Sequence, residues 1–188
     1  MQQQDSPCAI KTKRKLAAAL KELMNNTTFD KITVSDITEK CKVHRQTFYY
    51  HFQDRYELLD WIFFNEIIEP FVTDFKFDNM YDKFNSLFET MYNNKKFYQN
   101  AIKTKGDDLT RYISSVASKQ FINLIRDLGK ENGLKANDNN EGMMMAEFFG
   151  YGISGVVMSW ALRGMKETPE VMTGRIENLV ENFKKLTA

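Results

Sequence analysis

Within the seven residues Arg45 to His51 stand Arg45, Gln46, Thr47, Tyr49, Tyr50 and His51, with only Phe48 apolar among them. These are the side chains that read and grip nucleic acid. Arg pairs bidentately with guanine, Gln with adenine, and Thr, Tyr and His reach backbone oxygens. Phe48 and Phe52 lie four apart, which gives a short helix one buried stripe and leaves the polar set on its other face. A second apolar pair at the same spacing, Ile37 and Cys41, precedes it, with Ser35 as N-cap. Lys42-Val43-His44 forms the turn between the two helices, Val43 pointing inward. Thr33 to Arg55 therefore predicts helix, turn, helix and the start of a third helix, the form of a major-groove reader. Thr33, Ser35 and Arg55 are expected on phosphates, and His44, Arg45, Gln46, Thr47, Tyr49, Tyr50 and His51 in contact with the DNA.

Other chemistry is sparse. The only histidines, His44 and His51, both fall in this reader. Cys8 and Cys41 have no zinc-type spacing, and two thiols in 188 residues make no disulfide framework, which suggests a reducing compartment. No glycine-rich phosphate loop follows a strand. Asp107-Asp108 reads as a helix start rather than a catalytic pair. The expectation is a protein that is not an enzyme and holds no metal or cofactor. Hydrophobic content of 43% and charged content of 27% are those of a soluble globular chain, and the polar first residues lack the apolar core of a signal peptide, so the expected location is cytoplasmic. Net charge is +1, yet it is unevenly spread. Residues 1–55 hold ten Lys and Arg against six Asp and Glu, whereas the remainder holds sixteen against nineteen. A basic end on a neutral chain fits phosphate contact at that end.

Ile37 to Leu59 resembles the helix-turn-helix of TetR-type bacterial transcriptional regulators. The matching residues are Thr33, Val34, Ser35-Asp36-Ile37, Val43, Thr47, Tyr49, His51-Phe52 and Glu57-Leu58-Leu59. Arg45 to Tyr49 and Leu58 to Phe63 look closest to the branch containing the dihydroxyacetone-kinase operon activator. Lys42 stands where the family's turn usually has Gly, and His44 where a small hydroxyl residue usually caps the reading helix. If the turn needs positive φ, Lys42 costs about 1 kcal/mol.

The elements that must position the reader are helical throughout. One helix is expected from about Ala9 to Asn25, behind a polar arm of residues 1–7, with Leu16, Leu20, Leu23 and Met24 as its apolar stripe. Asp54 caps another that runs to Pro70, where it ends or kinks. Tyr81 to Lys103 breaks near Asn93-Asn94; Gly106-Asp107-Asp108 restarts a helix to about Gly129; residues 130–140 form a loop. Met143 to Leu162 is apolar enough to suggest a membrane span, but Glu147, three glycines and two serines oppose that. Thr168-Pro169 opens the last helix. The fold class is all-α, with residues 1–53 as DNA-binding module and 54–188 as a helical effector-binding and dimerisation module.

Two further sites are expected. Phe84, Phe88, Tyr92, Tyr112, Phe121 and Phe148 are candidates for an apolar effector cavity. Ala146, Gly150 and Ser154 recur every four residues, a small-residue strip that lets a helix come close, and Met158 follows at the same spacing as a further interface candidate. Packing within one chain and self-association both use such a strip. The resemblance implies the second: a homodimer, with Ile176, Leu179 and Phe183 of the last helix completing a two-fold interface. The partners would be a near-palindromic duplex DNA, a second copy, and a small-molecule or protein effector. An all-α enzyme and a helical interaction module without DNA binding remain as alternatives.

Overall fold

The computed structural model describes residues 6–131 and 140–187, and the regular elements among them are all helical. Helix α1 spans Pro7–Met24. Ser6 caps it by accepting the Ala9 N–H at 3.3 Å, and Pro7, with no N–H to lose, occupies the first turn. The helix therefore starts earlier than the expected arm allows; residues 1–5 of that arm lie outside the described residues. Leu16, Leu20 and Met24 are buried as the periodicity requires.

Helix α2 is Val34–Lys40, and its cap is Thr33 rather than Ser35. The Thr33 hydroxyl accepts the Asp36 N–H at 3.2 Å, while the Asp36 carboxylate accepts the Thr33 N–H at 2.7 Å. Asp36 stands three residues after Thr33, so two otherwise orphaned donors are satisfied reciprocally. Ser35 has no such partner at that distance and sits inside the first turn. Helix α3 is Arg45–His51, and helix α4, Arg55–Phe63, begins where Asp54 accepts the N–H groups of Tyr56 and Glu57.

Pro70 neither ends α4 nor kinks it at once. The chain first widens into a π-turn at Phe64–Ile68 and then continues as α5, Glu69–Val72. In an ordinary α-turn the Pro70 ring would meet the carbonyl four residues back, at Glu66. Widening the turn in front of the proline relieves that clash.

Helix α6 is Met80–Asn93, and α7 is Lys95–Glu131, interrupted at Gly106 where φ is +57° and ψ is −135°. Both breaks fall at the Asn and Gly signals. Helix α8 is Asn140–Leu162 and α9 is Pro169–Thr187. No helix among the described residues is long and apolar enough to cross a membrane. Residues 132–139 of the expected loop lie outside the described residues.

The core is continuous from α1 to α9. Its largest seam is α7 against α8, and it decides the role of the small-residue strip. Ala146, Gly150, Ser154 and Met158 are all buried within the chain. A Cβ on Gly150 would lie 2.6 Å from the Ser118 backbone nitrogen and 2.7 Å from its Cα. The strip thus lets α7, not a second copy, approach. Ile176 is buried too, on an α9 that packs against α6 and whose Thr173 hydroxyl meets Asn85 at 3.3 Å. These five residues are corrected from interface to core. Leu179 is exposed, and the Phe183 side chain lies outside the described residues. The opposite face of α8 is the open one: Met144, Phe148, Tyr151 and Val156 are exposed, with Gly152 and Gly155 between them.

Candidate nucleic-acid interface

The reading helix α3 stands on a small core. Phe48 is fully buried and Phe52 nearly so, their rings 5.9 Å apart, and Phe52 also meets Trp61 of α4 edge-on at 6.1 Å. With that face pinned, Arg45, Gln46, Tyr49 and Tyr50 are exposed and Thr47 and His51 half-buried. Tyr50 is 82% exposed and edge-on to His51 at 5.0 Å, an aromatic held in water by a rigid helix. His44 sits at the N-cap with no side-chain hydrogen bond to the helix. Lys42 holds φ +56°, so the turn does use the left-handed conformation that its missing glycine would take without strain. Val43 packs inward, and its N–H reaches the Thr38 carbonyl at 3.0 Å.

The flanking residues divide. Thr33 is exposed at the start of α2. The Asp36 carboxyl beside it is held below the usual carboxylate range, first by the Thr33 backbone N–H and then by its hydroxyl. Arg55 is turned inward. Its guanidinium donates to the carbonyls of Phe29 at 2.6 Å, Asp30 at 3.3 Å and Ile32, and lies over the Phe29 ring at 4.9 Å. It secures the loop before α2 from below, a use that outranks the expected phosphate contact because three carbonyls already occupy it. Lys13 of α1 lies over Phe52 at 5.6 Å, which brings the basic helix beside α3.

Two features join this module to the rest, and periodicity signalled neither. Asn100 of α7 accepts the Phe29 N–H at 3.2 Å and donates to the Thr27 and Met24 carbonyls at 2.8 and 3.3 Å. Glu66, in the π-turn, pairs with Lys21 of α1 at 2.7 Å and accepts the Tyr98 hydroxyl of α7 at 2.8 Å. Burial, and then the Glu66 carboxylate, push the Tyr98 hydroxyl far above its ordinary range, so it remains a donor.

The expected effector residues do not converge. An apolar cavity of about 50 Å³ lies between the π-turn, α6, α7 and α8, and of the six aromatics only Phe84 lines it, with Ile67, Phe71, Ser154 and Met158 among its neighbours. Phe88 packs on Trp160, Phe121 on Phe75 and Phe149, and Tyr92 under Lys95. Tyr112 is half exposed in a separate open groove of about 520 Å³ beside His51 and Trp61. Phe148 is 73% exposed on the outer face of α8. Each of these helices has an apolar stripe, and shared apolarity does not say which stripes meet.

Residues 16–62 match the family model "Bacterial regulatory proteins, tetR family", and residues 78–182 match "Transcriptional regulator C-terminal region", also of TetR type. The "HTH-type dhaKLM operon transcriptional activator DhaS" of Lactococcus lactis subsp. lactis (strain IL1403) is 36% identical over 91 residues. That match spans 48% of this chain and 49% of the relative, about half the length of each. A solved structure, "Dihydroxyacetone kinase operon activator DhaS", superimposes with a TM-score of 0.76 at 26% identity, over 94% of this chain and 98% of that one. A "Clostridium perfringens putative fatty acid metabolism regulator" shares the fold, with a TM-score of 0.53 at 17% identity, over 86% of this chain and 94% of that one. With the reading helix on its aromatic footing and family models matching both ends, this chain belongs to the TetR family of bacterial transcriptional regulators.

Proposed function

We propose that this protein regulates transcription as a homodimer whose two α3 helices read successive major grooves of a near-palindromic operator. The observation that carries the reading is α3 itself. Phe48 and Phe52 bury one face, and Arg45, Gln46, Tyr49 and Tyr50 stand exposed on the other. An exposed face of donors on a rigid short helix is suited to base edges, and Thr47, His51, His44, Thr33 and Ser35 are placed around it for phosphates. One such helix specifies few bases, so two half-sites about 34–36 Å apart are needed.

The second copy docks on the outer face of α8, through Met144, Phe148, Tyr151 and Val156, with Leu179 of α9. Exposed apolar side chains spread along one helix face support an interface there, and Gly152 and Gly155 leave room for a close helix because nothing lies within 4 Å of an added Cβ at either. Input arrives at the same module. The cavity beside Ser154 is the small-molecule site, and at about 50 Å³ it holds only a few atoms until α7 and α8 part. An input that favours one separation of the reading helices shifts the population and so changes DNA affinity. The two DhaS relatives are named as activators, which favours activation as the sign.

Selection of duplexes from a random library by the purified protein tests the reading. The expected product is a near-palindrome with half-sites one turn apart. Recovery of no consensus, or of a single half-site bound by a monomer, overturns it.

A further inference from the structure

The first two turns of α7 grip two parts of the molecule at once. On one side, Asn100 satisfies three backbone groups at the end of α1: the carbonyls of Met24 and Thr27 and the N–H of Phe29. On the other, Gln99 donates to the carbonyl of Ala161, in the last turn of α8, at 3.0 Å, and Lys95 to that of Met165, just beyond the helix, at 3.1 Å. The segment that Asn100 holds leads directly into α2, and Arg55 holds the same segment from α4 through Phe29, Asp30 and Ile32. The chain between α1 and α2 is therefore fastened to α7 and to α4 from Thr27 to Ile32. A second tie runs parallel: Lys21 of α1, Glu66 of the π-turn and Tyr98 of α7.

A fully buried Tyr98 and a three-bond Asn100 are costly to leave unpaired. Rotation of the reader against α7 would break both ties together. The hydrogen bonds that satisfy the α1–α2 loop are thus the same ones that fix its direction relative to α8.

We propose that Asn100 is a positioning residue for DNA reading: through the α1–α2 loop it sets the orientation of α3 relative to α8, with Lys21–Glu66–Tyr98 as a second tie. This inference rests on the homodimer reading above. If α8 carries the partner, a rigid line runs from the dimer face through Gln99 and Asn100 to the reader, and the two reading helices stand at one separation. Without Asn100 each reader still recognises its half-site, but the separation is no longer held.

The test uses the full-length protein and the duplex recovered by selection, together with versions whose half-site spacing is changed by two base pairs and a duplex with one half-site. Two base pairs move a half-site by about 7 Å and turn it by about 70°. The wild type should lose about tenfold in affinity off its spacing, the scale of one mismatched base pair. Asn100→Ala should reduce that loss to about threefold or less, while half-site binding stays within about twofold. Lys21→Met, which keeps an apolar side chain of similar length and loses the ammonium that pairs with Glu66 and lies over Phe97 at 5.7 Å, should move in the same direction by less, and decides the matter if Asn100→Ala does not fold. A fall of equal size on every duplex, half-site included, means that Asn100 only stabilises the fold and overturns the proposal. So do variants that keep the wild-type spacing penalty. A wild type indifferent to spacing overturns the two-half-site reading itself, and the proposal with it.

Discussion

Lys42 and Arg55 show how much a single side chain's surroundings change its meaning. Lys42 occupies the left-handed region at φ +56° in the turn between α2 and α3. An L side chain there is strained, and glycine is not. Lys42→Gly should therefore raise stability by about 0.5–1 kcal/mol, seen as a higher denaturant midpoint at unchanged slope. A lower midpoint would show that the lysine side chain has a compensating partner. Arg55 was expected on a phosphate, where its loss would flatten the salt dependence of DNA binding. With its guanidinium on the carbonyls of Phe29, Asp30 and Ile32, Arg55→Ala should instead cost about 2 kcal/mol of stability. The slope of log affinity against log salt should stay at its wild-type value. A slope shallower by about one unit would return Arg55 to the phosphates. Gln46 has no such second use, and Gln46→Ala should relax base preference at one operator position by about 1–3 kcal/mol in competition binding.

At the scale of elements, α2 depends on its capping box and α8 on its glycines. The Asp36 carboxyl is depressed below 3.8 by Thr33. A depressed carboxylate contributes stability that is fully present above its ordinary value and is lost as pH falls through the lowered one. The Thr33 and Asp36 amides should therefore exchange faster as pH falls below about 3.8, after correction for intrinsic rates, and Asp36→Asn should remove that pH dependence. A wild-type profile identical to that of Asp36→Asn would count against the box. On α8, the glycines separate two hypotheses that the sequence left joined. Gly150→Ala drives a Cβ into the Ser118 backbone and should cost about 1–3 kcal/mol in folding, with or without a partner. Gly155→Leu places its Cβ in open space in the single chain, so it should not lower the melting temperature of the monomer and should weaken self-association. Sedimentation and thermal melting of the two variants side by side check this; the reverse pattern would put the partner back on the Gly150 strip.

For the whole molecule, what the sequence determined by itself was local. The breaks at Asn93-Asn94 and Gly106, the cap at Asp54, the stripe of Phe48 and Phe52 and the polar face of α3 all follow from interactions within about four residues, and these the structure reproduces. Even the small miss at Ser35 is a shift of two residues along the same helix start. Tertiary structure decided everything that needed a choice between faces. Helix α8 is apolar nearly all round, so periodicity gave it no inward direction, and its contact with α7 alone sent Ala146, Gly150 and Ser154 inside and left Phe148 and Tyr151 outside. The aromatics expected to share a cavity scattered for the same reason. The ties at Asn100 and Glu66 join residues 71 to 76 and 32 to 45 positions apart. A lone Asn or Glu on a helix carries no mark of such a partner. Its role exists only once the chain has folded and a buried backbone group requires a hydrogen bond.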